Sequence, residues 1–257
     1  MNIAYKQYLS IVSFLEGVIV PNRFVFRQVD YRDIPLFLEN GELRAHNHHT
    51  PQKCYQTSYP NLVDRRGTNM FRMPCGGVVN DYVAFYFSPF TSFSCSINRG
   101  GVEVISPNAE PLGRSNFEDR AFFVYSVPLL TSAGLQCCFS DCSLTSNAPL
   151  PSVIQDTNSI EDHIHWDLFD EYPMTAKIDE IGYEGVCKFF GFKDTPPRYQ
   201  LRKQRRMAEF LVRTSVPVEL ASCIVTPSSG KKEQVQSAMD ASDWDISVYS
   251  KPECFVR

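Results

Sequence analysis

Residues 200–213 read QLRKQRRMAEFLVR. Arg202, Lys203, Arg205 and Arg206 fall within five residues, and three positions after Arg206 a lone carboxylate, Glu209, opens the apolar run Phe210, Leu211 and Val212. The run is too short for a helix and reads as a buried strand. The cationic stretch before it predicts a short helix, set off from the preceding chain by Pro196 and Pro197. A helix feeding an acid-headed strand is therefore the unit around which the rest is arranged.

Further strands follow from similar runs. DYVAFYF (81–87) is nearly continuous in aromatic and β-branched residues and ends at Pro89, as expected of a strand covered on both faces. RAFFVYSVP, LQCCFSDCSL and ELASCIVTP give three more. Residues 26–47 predict a strand and then a short helix with Ile34, Leu36, Phe37 and Leu38 on its apolar side and a stop at Gly41. Residues 48–80 read as polar and irregular, with a turn at MPCGG, and 151–200 as polar helical pieces. Residues 1–23 read as an amphipathic helix rather than a leader, since Glu16 interrupts the apolar centre and no small-residue cleavage site follows. Residues 228–257 predict a helix and an edge strand. Strands and helices do not alternate regularly, so the expectation is a single α+β domain over 1–257.

Composition narrows the function classes. With 43% hydrophobic and 21% charged residues the chain is an ordinary globular one, and no apolar run reaches the roughly 18–20 residues that span a bilayer. A net charge of -4 argues against a coat for nucleic acid, but not against a local basic groove. Nine scattered cysteines lack zinc spacing and read as buried free thiols in a reducing cytoplasm. His46, His48 and His49 have no acidic or thiol partner at helical spacing, so no metal is expected. GGVVNDYVAF lacks the lysine of a phosphate loop.

Locally, Glu209 is either a strand-end acid paired with Arg205 or Arg206, or a carboxylate at the mouth of a sheet that stabilises developing positive charge. Its spacing does not separate the two. Arg65 and Arg66 in VDRRG are either solvated or a guanidinium fork for phosphate or a base oxygen. The cations from Arg198 to Arg206 are either a solvated helix or a phosphate-contacting face.

Taken in order, VDRRGTNMFRMPCGGVVNDYVAFYFSPFTSF, LQCCFSDCSL, IHWD and KQRRMAEFLVRTSVPVELASCIV closely resemble the DarT-type DNA ADP-ribosyltransferases, toxins of bacterial toxin–antitoxin pairs. The resemblance spans about residues 24–227. It implies two small packed sheets around a central NAD cleft with flanking helices, no metal, and transfer of ADP-ribose from NAD to a base in single-stranded DNA. Arg66 and Glu209 fall on the family's catalytic arginine and glutamate. Arg27, Asn47, Asp81, Tyr82 and Tyr86 are the residues expected around NAD. Arg65, Arg72, Arg198, Arg202, Lys203, Arg205 and Arg206 are expected to meet DNA. The resemblance also implies a cognate antitoxin, an ADP-ribosyl-DNA hydrolase. Two departures mark a divergent branch: Arg27 stands where relatives have a histidine, and Asn80 and Ala84 replace a histidine and a proline. They leave the target as guanine or thymine, with a lean to guanine. Two other functions fit the residues: transfer to RNA or protein, and non-catalytic binding of single-stranded nucleic acid.

Overall fold

The structure, a computed structural model, describes residues 22–191 and 201–255. The expected N-terminal helix and Arg198 therefore lie outside the described residues. Eight strands hydrogen-bond in one sheet: β1 (Phe24–Asp30), β2 (Tyr82–Tyr86), β3 (Arg120–Ser126), β4 (Cys137–Ser140), β5 (Val153–Ile154), β6 (Glu209–Arg213), β7 (Ala221–Thr226) and β8 (Val248–Ser250). Their order is β8-β7-β3-β1-β2-β6-β4-β5. Only β7 and β8 run parallel. The α+β class of the sequence reading holds.

The sheet is nearly two. β1 pairs with β3 at every position from Phe24↔Ser126 to Asp30↔Arg120, and β2 pairs with β6 from Tyr86↔Glu209 to Tyr82↔Arg213. Between those halves the only registered pair is Phe26↔Tyr86. The two separate sheets that the resemblance implied are instead the halves of one eight-stranded sheet, joined at this single pair. Beyond that point β1 and β2 part, and the Arg27 guanidinium reaches across to the Ala84 carbonyl at 3.0 Å.

All seven residues of β3 are buried. Its far end carries a buried ion pair, Arg120 to Asp30 at 2.5 Å. Helix α1 (Ile34–Asn40) buries Ile34, Phe37 and Leu38 and stops at Gly41, whose φ of 70° is the left-handed cap that glycine allows without strain. The helices Pro60–Arg66, Ser92–Asn98 and Val127–Ser132 escaped the sequence reading, and the first of them bears on the site. Pro60–Arg66, α2, lies inside the segment read as irregular. Its signals were a proline at the first position and Gly67 after the last, but it buries no residue, so no apolar stripe announced it. Two further helices are α3 (Arg202–Arg205), which precedes β6, and α4 (Ser229–Asp240), which follows β7. All nine cysteines are unpaired, seven of them buried.

Candidate active site

The parting of β1 and β2 opens a cleft of about 580 Å³. Glu209 heads β6, directly opposite Tyr86 in an antiparallel ladder, so both side chains leave the same face of the sheet. The Glu209 amide donates to the Ser140 hydroxyl at 3.1 Å, and that hydroxyl donates to the Cys142 carbonyl at 2.7 Å. The carboxylate is thereby fixed at its root, and only 1% of the residue is exposed.

Its partner arrives from the last turn of α2. Arg66 Nη1 donates to Glu209 Oε1 at 3.0 Å and Nη2 to Oε2 at 2.8 Å, across 143 positions of sequence. The nearby Arg205 and Arg206, which would have made Glu209 a mere strand-end acid, do not pair with it. Burial works against the Arg66 charge, but the Glu209 carboxylate more than offsets this, so Arg66 holds its proton more firmly than a free arginine. Two of the guanidinium's five N–H groups are used on Glu209. Side chains one residue apart on a helix diverge by about 100°. Accordingly Arg65 points elsewhere, to Asn147 Oδ1 at 2.9 Å and to Met70 Sδ at 3.0 Å.

A tether keeps α2 in place. Asn80 Nδ2 donates to the Val63 carbonyl at 2.9 Å. Asp81 holds the glycine turn through the Val78 amide at 2.7 Å and meets Asn47 Nδ2 at 2.8 Å, while the Tyr82 hydroxyl donates to the Gly76 carbonyl at 2.7 Å. Asn80, a departure from the family pattern in the sequence, thus carries the arginine helix.

Arg27, Arg66, Tyr82, Tyr86 and Glu209 all line the cleft, whereas Asn47 and Asp81 do not. The latter two brace the turn behind it. Arg27 has no carboxylate partner among the described residues. It donates to the Ala84 carbonyl, and burial followed by the Arg66 charge lowers its proton affinity. A guanidinium left without a counter-charge in a cleft is a place for an anion. Burial and then the Glu209 charge raise the Tyr86 phenol, which stays a neutral hydroxyl. The walls also carry the apolar side chains Phe37, Phe93, Ile97 and Phe122, and the charged groups Asp30, Asp33 and Arg120. A cleft of this size with both charged and aromatic surface suits a dinucleotide.

The expected DNA-facing cations divide. Arg202 and Arg206 are 2% and 0% exposed, which corrects their assignment to phosphate. Arg206 donates to the carbonyls of Leu168, Cys187, Phe189 and Phe90 and to Ser88 Oγ, and lies over the Phe169 ring at 4.7 Å. Burial pushes it down to about 10, leaving it charged at neutral pH. Arg202 pairs with Glu171 and donates to the Phe189 carbonyl. Both are staples that fasten α3 to the chain around 168–189. Lys203 and Arg72 are exposed, and Arg65 and Arg205 half-buried.

The fold and site thus define an α+β protein whose arginine–glutamate pair faces a dinucleotide-sized cleft. A sequence model of the family described as "ssDNA thymidine ADP-ribosyltransferase, DarT" matches residues 26–256, and the chain belongs to that family. A DNA ADP-ribosyl transferase of Thermus sp. (strain 2.9) is 28% identical over 198 residues, covering 77% of this chain and 78% of the relative. The solved structure of Thermus sp. 2.9 DarT in complex with ADP-ribosylated ssDNA superposes with a TM-score of 0.72 at 19% identity, covering 94% of this chain and all of that one. The same protein in complex with NAD+ gives 0.68 at 18% identity, with 93% and 100% covered.

Proposed function

We propose that this DNA ADP-ribosyltransferase uses Glu209 and Arg66 as its catalytic pair and modifies a thymine or guanine base in single-stranded DNA. The observation that carries the reading is the buried two-bond contact of Arg66 with Glu209 on the wall of the cleft, beside the uncompensated Arg27.

NAD supplies the ADP-ribosyl group and nicotinamide as the leaving group. Arg27 fits its diphosphate. Glu209, held by Arg66 and by the Ser140 hydroxyl, retains lone pairs that can accept from ribose hydroxyls and oppose positive charge at the anomeric carbon. In the transfer, the bond from that carbon to the nicotinamide nitrogen breaks, its electron pair leaving with nicotinamide. A base nitrogen forms the new bond and releases its proton to solvent. The spare N–H groups of Arg66 suit the base carbonyl, where they favour loss of that proton. The family description names thymidine, which supports thymine; the departures at Arg27, Asn80 and Ala84 support guanine. Extruding a base from a duplex costs a few kcal/mol, and a single strand avoids this.

The family resemblance also supports a toxin role, held in check by an antitoxin that removes ADP-ribose from DNA, in a cytoplasm where the nine thiols remain reduced. Among the described residues no helix is long and apolar enough to cross a membrane. Incubation with labelled NAD and single-stranded oligonucleotides, each carrying one kind of reactive base, tests the reading. Label on one of them is expected. Label only on RNA or protein would move the acceptor, and binding without transfer would leave a nucleic-acid-binding protein.

A further inference from the structure

Beside the cleft lies a second hollow of about 330 Å³, and the two share Ser143, Thr145 and Met207 as a common wall. Its other walls are Ala148 and the polar residues Ser146, Asn147, Lys203 and Gln204. We propose that this hollow seats one nucleotide of the acceptor strand and that Gln204 is the residue that reads its base. The inference rests on the single-stranded DNA reading above.

Three observations support it. First, Gln204 Oε1 is shut off from solvent and has no hydrogen-bond partner. A buried amide oxygen without a donor is destabilising, and an N–H from a ligand would relieve this. Gln204 lines the hollow, and the broad terminal torsion of a glutamine leaves its amide free to re-aim toward a ligand there. Second, the backbone beneath it is rigid. The Gln204 carbonyl accepts from the Ser143 amide at 2.8 Å, and the staples Arg202, at the start of α3, and Arg206, just past its end, flank it. Third, a donor stands in the same hollow. Arg65 engages Asn147 Oδ1 at 2.9 Å, which fixes the amide and leaves Asn147 Nδ2 to donate. A fixed donor and a free acceptor match the adjacent C=O and N–H of thymine or guanine. Exposed Lys203 completes the seat as the contact for the nucleotide's phosphate. Arg65 is then a positioning residue rather than a direct DNA ligand.

The test uses the full chain, labelled NAD, and single-stranded oligonucleotides that vary one position at a time through the four bases. Wild type is expected to favour one base at the read position by tenfold or more in kcat/KM. Gln204→Met keeps the length of the side chain without its acceptor and should cut that preference to within about threefold; Gln204→Glu, which keeps an acceptor oxygen, should retain it. A rise in melting temperature with NAD reports that each variant is folded. Lys203→Ala should weaken binding of every oligonucleotide alike and lower the salt dependence by about one phosphate. Base preference unchanged in folded Gln204→Met overturns the proposal, as does an unchanged salt response in Lys203→Ala. Wild type that labels no oligonucleotide fails the DNA reading itself, a distinguishable result.

Discussion

Glu209→Gln keeps the shape of the side chain and removes the charge that Arg66 engages at 3.0 and 2.8 Å. The Glu209 side chain is 2% exposed and that of Arg66 18%, so little water can replace the lost partner. Breaking a buried ion pair costs about 3–5 kcal/mol, and the partial exposure of Arg66 places this case near the lower end, about 3 kcal/mol. At ~2–4 °C per kcal/mol for a chain of this size, the melting temperature should fall by ~6–12 °C. Arg66→Met leaves the more deeply buried member unpaired and should cost at least as much. The double variant carries neither charge, and its loss should be smaller than the sum of the single losses by about 2–3 kcal/mol. Urea denaturation of the four proteins at pH 7 measures this coupling. A coupling below ~0.5 kcal/mol would refute the claim that the two side chains form one tightly held unit.

Arg206→Met should destabilise the protein by about 3 kcal/mol, because it removes the donor to four carbonyls and to Ser88 Oγ; a melting curve no lower than wild type would contradict its role as a staple. Gly77→Ala should disorder the turn before β2, since φ there is +74° and a Cβ would stand 2.1 Å from Asp81 Oδ2; unchanged hydrogen exchange at Val78 would contradict it. Burial raises the Asp33 carboxyl from 3.8 to about 7, although it accepts from the Tyr55 amide. The folded protein therefore keeps a proton that the unfolded chain releases between those values, so stability present at low pH is lost as pH rises through 7. Between pH 5.5 and 8.5 this should cost about 2 kcal/mol, and Asp33→Asn should remove that fall; equal slopes in the two proteins would count against it.

What the sequence displayed and what it hid follow from physical range. Runs such as DYVAFYF and RAFFVYS announce buried strands because burial on both faces leaves no polar alternation to confuse the pattern. The α2 helix was hidden because it packs through its arginines and not through an apolar stripe. Its functional weight rests on contacts across 143 positions, which no local window contains. The roles of the cations were equally hidden. Charge in a sequence suggests solvent or phosphate, yet Arg202 and Arg206 lie in the core because carbonyls from the 168–189 segment surround them. Glu209 was singled out through the family resemblance, because local spacing alone left it open between pairing with Arg205 or Arg206 and acting as a carboxylate at the mouth of the sheet. Asn80 is a similar case: its substitution was visible, but its bond to the Val63 carbonyl was not.

Whether Glu209, held by Arg66, drives transfer of ADP-ribose to a DNA base is read by mass spectrometry of nucleosides digested from single-stranded DNA after incubation with NAD and either the wild-type chain or Glu209→Gln. One nucleoside should gain the mass of ADP-ribose with wild type, and its initial rate of formation should drop ~10²–10³-fold with the variant. An adduct formed equally fast by Glu209→Gln, or no adduct on any nucleoside, would contradict the account.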